Sequence, residues 1–170
     1  MPITRVMGLD PGSETTGYGI IDTDGRKHVV VEFGAIRAGA KMAFPDRLLN
    51  ISSKLESIIE RTKPECFAIE ETFYAVNIKT ALKLGHVRGA AIVAAARLGL
   101  TIYEYSPLEI KSAIVGYGRA EKHQVQEMVR ILLKMTNIPQ PHDAADALAV
   151  AICHIHHSAT TKRINSAIGK

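Results

Sequence analysis

The stretch ITRVMGLDPGSETTGYGII, residues 3–21, decides the fold, because it places two apolar runs on either side of a strong turn signal. The first run, Ile3 to Leu9, ends at Asp10-Pro11-Gly12, and an apolar run of this length before such a turn is typical of a strand. Gly17 to Ile21 predicts a second strand and Val29 to Ile36 a third. The chain is therefore expected to open with three antiparallel strands, the first of which ends at Asp10.

The rest of the chain alternates between helical and strand patterns. Apolar residues recur near a 3.6-residue period between Leu48 and Ile59, which predicts a helix that Pro64 ends. Further strands are predicted at residues 66–70 and 100–105, and further helices from Asn77, from Ser106, around residues 125–132 and from Pro141. Strands first, then strands alternating with helices, indicate an α/β fold with a mixed five-stranded sheet flanked by helices on both faces.

The composition is that of one folded domain with a mildly basic surface. Hydrophobic residues make up 46% of the 170 residues and charged residues 22%, which is close to the average for folded proteins and unlike disordered chains. We expect one domain over residues 1–157 and a polar, flexible tail over residues 158–170. The net charge of +4 slightly favours a polyanionic partner such as nucleic acid.

Cysteine usage and hydropathy predict a cytoplasmic protein. Cys66 and Cys153 are far apart and match no zinc or redox spacing, which indicates buried thiols in a reducing compartment. The first ten residues contain no apolar signal core, and no window reaches about 18 uninterrupted apolar residues, so no membrane segment is expected.

Carboxylates stand at three places that the predicted fold can bring together. Asp10 ends the first strand, Glu70 ends the fourth, and Asp143 and Asp146 lie in the first turns of the last helix. Residues three apart on a helix share a face, so this pair can point toward the two strand ends. Adjacent strand residues face opposite sides, so only one of Glu70 and Glu71 can join the cluster, and position alone does not choose between them.

A cluster of four acids predicts a divalent-metal site, because like charges at short range repel unless a cation lies between them. Oxygen ligands without cysteine favour Mg²⁺, and two such ions can stabilise the attacking and leaving oxygens of a phosphodiester. Each acid also has a simpler explanation: Asp10 as a turn former, and Asp143 as a helix N-terminal charge. His142 is a further possible ligand, although a surface histidine is the commoner case.

Five segments together resemble one protein family: GLDPGSETTGYGI, FAIEETFYAVN, ALKLGHVRGAAIVAA, AEKHQVQEMV and HDAADALAVAI. In this order they cover roughly residues 6 to 156, and they resemble the bacterial Holliday junction resolvases of the RuvC family. The resemblance implies a ribonuclease H-like fold and a homodimer that makes paired, symmetric incisions in four-way junction DNA during recombination and repair. It also implies the junction-binding and branch-migration proteins RuvA and RuvB as partners.

The resemblance assigns roles to particular residues of this sequence. It implies that Asp10, Glu70, Asp143 and Asp146 are the catalytic metal ligands, which chooses Glu70 over Glu71, with two Mg²⁺ per subunit and Mn²⁺ as a substitute. Some relatives have histidine at the position of Asp143, which leaves His142 a role beside the site. It further implies that Phe73, Lys111 and Lys122 contact DNA. Without the resemblance, Phe73 would be expected in the core and both lysines on the surface.

The predicted helix from Asn77 is rich in small residues, including Gly85 and Gly89. Such a surface allows close backbone approach, either to the protein's own sheet or to a second protomer in a two-fold dimer, and the sequence leaves both open.

Three other functions compete with junction cleavage. A ribonuclease H-like nuclease acting on structured RNA would use the same chemistry. An actin-like nucleotide phosphatase or kinase domain would match the DPGSETTGYG segment, although 170 residues leave no room for a second lobe. A non-catalytic junction-binding module would not need the four acids.

Overall fold

The computed structural model describes residues 2–71 and 77–168. The described strands are β1 (Thr4–Asp10), β2 (Thr15–Thr23), β3 (His28–Arg37), β4 (Cys66–Glu70) and β5 (Thr101–Tyr105). The described helices are α1 (Phe44–Thr62), α2 (Ile78–Arg97), α3 (Pro107–Val115), α4 (Lys122–Leu132) and α5 (His142–Ile168).

The strands form one sheet in the order β3-β2-β1-β4-β5. Strands β1 to β3 pair antiparallel, whereas β4 pairs parallel with β1 and with β5. The predicted mixed five-stranded sheet is confirmed.

The helix starts follow local chemistry that the sequence displays. The side chain of Asn77 accepts a hydrogen bond from the backbone N–H of Thr80, which satisfies one of the free N–H groups at the start of α2. Ser106 and Glu109 form a reciprocal capping box at the start of α3. Because these caps are local, both helices begin where the sequence predicts.

Each face of the sheet carries its own core. Met7, Leu9, Phe67 and Ile69 pack on the side of α1 and α2. Val6, Cys66 and Ala68 pack on the opposite side, with α3, α4 and α5. Successive strand residues alternate between faces, so Asp10 and Glu70, which continue the series of Val6 and Ala68, belong to the side that α5 covers.

Helix α5 lies on three glycines of β1 and β2. A Cβ atom added at Gly8 would lie 2.2 Å from the carbonyl oxygen of Ala147, and one at Gly17 would lie 1.9 Å from that of Asp143. At Gly19 it would lie 2.6 Å from a methyl group of Leu148. These glycines therefore let the helix backbone approach the sheet far more closely than any other residue type would allow.

Helix α5 continues to Ile168 and so runs through most of residues 158–170, whose flexibility stays a prediction. The hydroxyl groups of Ser158, Thr160 and Thr161 donate to carbonyl oxygens of the preceding turn, at 2.9 to 3.0 Å. Polar residues of this kind stay compatible with a helix when their hydroxyls bond back to it. In the part of the chain that the structure describes, no helix is long and apolar enough to span a membrane. Cys66 and Cys153 are both buried thiols, as predicted.

Candidate active site

Two acids stand at adjacent strand ends on the face covered by α5. The parallel register pairs Leu9 with Ile69, so the residues that follow, Asp10 and Glu70, lie side by side. Glu70 continues the alternation of Cys66 and Ala68, which belong to the α5-side core. Glu71 follows the end of β4. The structure therefore places Glu70, and not Glu71, beside Asp10.

Helix α5 contributes Asp146 to a cleft of about 310 Å³ at this edge of the sheet. The lining residues are Asp10, Glu70, Pro107, Ile110, Lys111, Lys122, Val125, Asp146 and Ala149. Three of the four predicted acids and both predicted lysines thus share one cleft. Asp143 lies one turn earlier on α5 and is half-buried; it is not one of the lining residues, although its charge acts on Asp10.

Burial and like charge dominate the electrostatics of the two strand-end acids. Burial raises the pKa of Asp10 well above its usual range, and the negative charges of Glu70, Asp146 and Asp143 raise it further. Burial also raises the pKa of Glu70, an effect that a hydrogen bond with Asp10 partly offsets. A cation in the cleft would therefore be favoured, because it would relieve both the desolvation and the repulsion.

Two side chains of α4 hold the carboxylate of Asp146. The Nζ atom of Lys122 lies 2.7 Å from one of its oxygens, and the Nε2 atom of Gln126 donates to the other at 3.4 Å. The hydrogen bond to Asp146 raises the pKa of Lys122. Residues four apart on a helix share a face, so α4 presents an amide and an ammonium group to the same carboxylate.

The cleft residues fit a hard divalent ion by the chemistry of their donors. Asp10, Glu70 and Asp146 offer only carboxylate oxygens, the ligands that Mg²⁺ prefers. In residues 2–71 and 77–168, no three histidine, cysteine, aspartate or glutamate side chains already lie close enough together to surround an ion.

Among the described candidates, Asp143 and His142 do not line the cleft. His142 is exposed at the first position of α5. Phe73 lies outside the described residues, so its predicted contact with DNA stays a prediction.

Gln126 is a functional candidate that the sequence reasoning missed. It is only 4% exposed, although glutamine is usually a surface residue. A signal was present, because Gln126 follows Lys122 by four residues and precedes Val129 by three, which places it at the border of the apolar face of α4. A buried polar side chain needs a partner, and Asp146 supplies it.

A larger cavity, of about 410 Å³, lies at the opposite end of β1, between the β2–β3 turn and the second half of α5. Its lining includes Thr4, Arg26, His154 and Arg163, and it includes neither of the strand-end acids. Because clustered carboxylates are the groups suited to holding a divalent metal ion, the smaller cleft is the candidate active site.

Comparison with protein families identifies what the chain is similar to. The family model described as crossover junction endodeoxyribonuclease RuvC matches residues 6–154. A protein of that name from Ruminiclostridium cellulolyticum is 52% identical over 149 residues, covering 88% of this chain and 90% of the relative. One from Koribacter versatilis is 52% identical over 164 residues, covering 95% of this chain and 98% of the relative.

Comparison with solved structures agrees. The structure of T. thermophilus RuvC in complex with a Holliday junction substrate superposes with a TM-score of 0.88 at 31% identity, covering 93% of this chain and 96% of that one. The yeast mitochondrial Holliday junction resolvase Ydc2 superposes with a TM-score of 0.71 at 16% identity, a likeness of fold alone. The predicted ribonuclease H-like fold is thereby confirmed.

Proposed function

The chain belongs to the RuvC family of crossover junction endodeoxyribonucleases, and from this premise we propose how it resolves Holliday junctions. The protein cuts four-way junction DNA by paired, metal-dependent incisions, one from each protomer of a two-fold dimer. The observation that carries the proposal is the shared cleft in which Asp10, Glu70 and Asp146 meet Lys111 and Lys122.

The acids hold the metal in this proposal. Asp10, Glu70 and Asp146 line the cleft, and Asp143 adds its negative charge from the preceding turn of α5. Bound Mg²⁺, two ions per protomer with Mn²⁺ as a substitute, supplies activation of water and neutralisation of the charge that develops on the phosphodiester oxygens. Gln126 holds one oxygen of Asp146 and leaves the carboxylate oriented toward the cleft.

The lysines bind the phosphate in this proposal. Lys111, from α3, and Lys122, from α4, both line the cleft. With a metal ion bound beside Asp146, the ammonium group of Lys122, which now pairs with that carboxylate, would be available to a phosphate of the DNA backbone. Positive groups at this place attract phosphate and favour the transition state, in which negative charge increases.

Helix α2 offers a surface for the two-fold dimer. Its buried residues, Val87, Ala91, Ala94 and Ala95, pack against the sheet. On the opposite face, Ile78, Leu82 and Val93 are 80%, 61% and 56% exposed, and a Cβ atom added at Gly85 or Gly89 would contact nothing within 4 Å. The sequence left open whether α2 packs on the protein's own sheet or on a second protomer. One face of α2 packs on the sheet, and we assign the opposite face to the second protomer.

The decisive experiment compares labelled four-way DNA, linear duplex and structured RNA as substrates in Mg²⁺. We expect symmetric paired cuts in four-way DNA and little cleavage of the other two. Preferential cleavage of RNA would support the competing ribonuclease, and junction binding without cleavage would support the non-catalytic module. Two unrelated nicks by a stable monomer would contradict the dimeric mechanism. Partnership with RuvA and RuvB rests on the family alone and is tested by co-purification.

A matched pair of variants tests the site. Glu70→Gln removes the charge of an acid that lines the cleft. Glu71→Gln removes the charge of the next residue, which does not line the cleft. We expect Glu70→Gln and Asp146→Asn to abolish cleavage and keep junction binding, because removing a negative charge does not weaken attraction to phosphate. Glu71→Gln should cleave like the wild type. Near-normal cleavage by Asp146→Asn would remove this site from consideration.

A further inference from the structure

Arg88 reaches from α2 to the end of the strand that carries Glu70. Its Nε atom donates a hydrogen bond to the backbone carbonyl oxygen of Glu70 at 3.3 Å. The same guanidinium group forms an ion pair with Glu104 of β5. The side chain is 22% exposed, so most of it lies between the helix and the sheet.

The peptide group between Glu70 and Glu71 is therefore held at both of its polar atoms. Its N–H donates to the carbonyl oxygen of Tyr105 at 2.8 Å, and its carbonyl oxygen accepts from Arg88. The register between β1 and β4 ends at Ile69, so Arg88 supplies a bond to β4 where the pairing with β1 has stopped. The orientation of this peptide group determines where the Glu70 side chain starts.

We propose that Arg88 is a positioning residue for Glu70, which it acts on through the backbone, and this rests on the proposed role of Glu70 as a metal ligand. Arg88 is not among the residues that line the cleft, and its described contact with Glu70 is through the backbone carbonyl oxygen. Arginine suits the task because its planar group offers separate donors to two partners at once. Lysine has a single nitrogen and cannot hold Glu104 and the carbonyl in the same directions.

The test uses Arg88→Met, Arg88→Lys and, as a matched control, Arg97→Met in the exposed last turn of the same helix. Partners that orient a metal ligand are typically worth about 10–100-fold in metal affinity or activity. We expect Arg88→Met to raise the Mg²⁺ concentration needed for half-maximal junction cleavage by about tenfold. Mn²⁺ binding, measured by electron paramagnetic resonance, should weaken by the same factor. Junction affinity in Ca²⁺ should stay unchanged, and Arg97→Met should match the wild type.

Glu104→Gln supplies a second, independent variant. We expect a smaller shift of the Mg²⁺ curve in the same direction, and no additional shift when the change is combined with Arg88→Met, because Glu104 acts only through Arg88. If Arg88→Met does not fold, Arg88→Lys and Glu104→Gln decide the matter. Wild-type Mg²⁺ curves and Mn²⁺ binding in the folded variants would overturn the proposal, whatever their melting temperatures.

The two proposals fail in different ways. A wild-type protein that does not cleave four-way DNA would overturn the proposed function. A wild type that cleaves, an inactive Glu70→Gln and wild-type behaviour in every Arg88 and Glu104 variant would overturn only the positioning role.

Discussion

Gly17→Ala is the most informative single substitution, because it changes one hydrogen atom into a methyl group where α5 meets the sheet. Gly17 pairs with Asp10 across β1 and β2, directly below the start of the helix that carries Asp143 and Asp146. The new Cβ would lie 1.9 Å from the carbonyl oxygen of Asp143 and 2.3 Å from its carbonyl carbon. Both atoms belong to backbone, so no side-chain rotation relieves the contact.

The structure sets the size of the effect. Real Cβ contacts essentially never fall below 3.0 Å, so the start of α5 must move from β2 by about 1.1 Å or more. Overpacking of this kind typically costs roughly 1–3 kcal/mol of stability. A displacement of about 1 Å at a catalytic constellation can cost about 100-fold in rate. We therefore expect a folded protein with about 100-fold slower junction cleavage.

The control is Gly34→Ala, on the neighbouring strand β3. Its Cβ would meet the hydroxyl and ring of Tyr18 at 2.9 to 3.1 Å, a side chain that can move without shifting α5. Single-turnover cleavage of four-way DNA, urea unfolding and Mn²⁺ binding are measured for both variants. Wild-type cleavage by folded Gly17→Ala protein, or equal losses of cleavage in the two variants, would refute the claim that this contact sets the distance between the acids.

Three further predictions concern the ion, the pH dependence and Phe73. Mg²⁺ or Mn²⁺ should support cleavage, whereas Ca²⁺ should support binding with little cleavage, because it accepts longer and looser oxygen geometry; equal rates in Ca²⁺ would contradict a strict metal geometry. Burial and the nearby His156 lower the pKa of His28 in the folded state. The His28 imidazole therefore binds a proton more readily in the unfolded state than in the folded state. The contribution of neutral His28 to folding stability is present above about pH 6.5 and is lost as the pH falls. The difference in unfolding free energy between the wild type and His28→Asn should therefore shrink from pH 7.5 to 5.5 in urea titrations, and a constant difference would contradict this. Phe73→Ala should keep the fold and junction affinity but lose most cleavage, more on intact than on pre-opened junctions, because a base–aromatic stack is worth roughly 1–3 kcal/mol. A large fall in melting temperature with equal losses on both substrates would show instead that Phe73 is a core residue.

Local patterns in the sequence were enough to predict the sheet and to place acids at the ends of its first and fourth strands, whereas the choice of Glu70 over Glu71 came from the family resemblance. The apolar runs before Asp10 and Glu70 each end at a charged residue, which marks the end of a strand. Side chains alternate between the two faces of a strand, so the acids at these strand ends can lie on one face of the sheet. The Asn77 and Ser106 caps are also local, since each bonds to a backbone group within three residues. Features of this kind depend on neighbours in the chain, so the sequence displays them directly.

Only the tertiary structure decided how close the elements come and which side chains meet. Nothing near Gly17 in the chain shows that α5 lies against it, and nothing near Gln126 or Arg88 shows a contact with Asp146 or with Glu70. The residues in these contacts are far apart in the chain: 18 positions separate Glu70 from Arg88, and 126 positions separate Gly17 from Asp143. The sequence alone determined the periodicity that builds each strand and helix, because backbone geometry repeats over a few residues. The distances between acids, lysines and their supporting side chains depend on packing across the whole core, which no local pattern contains.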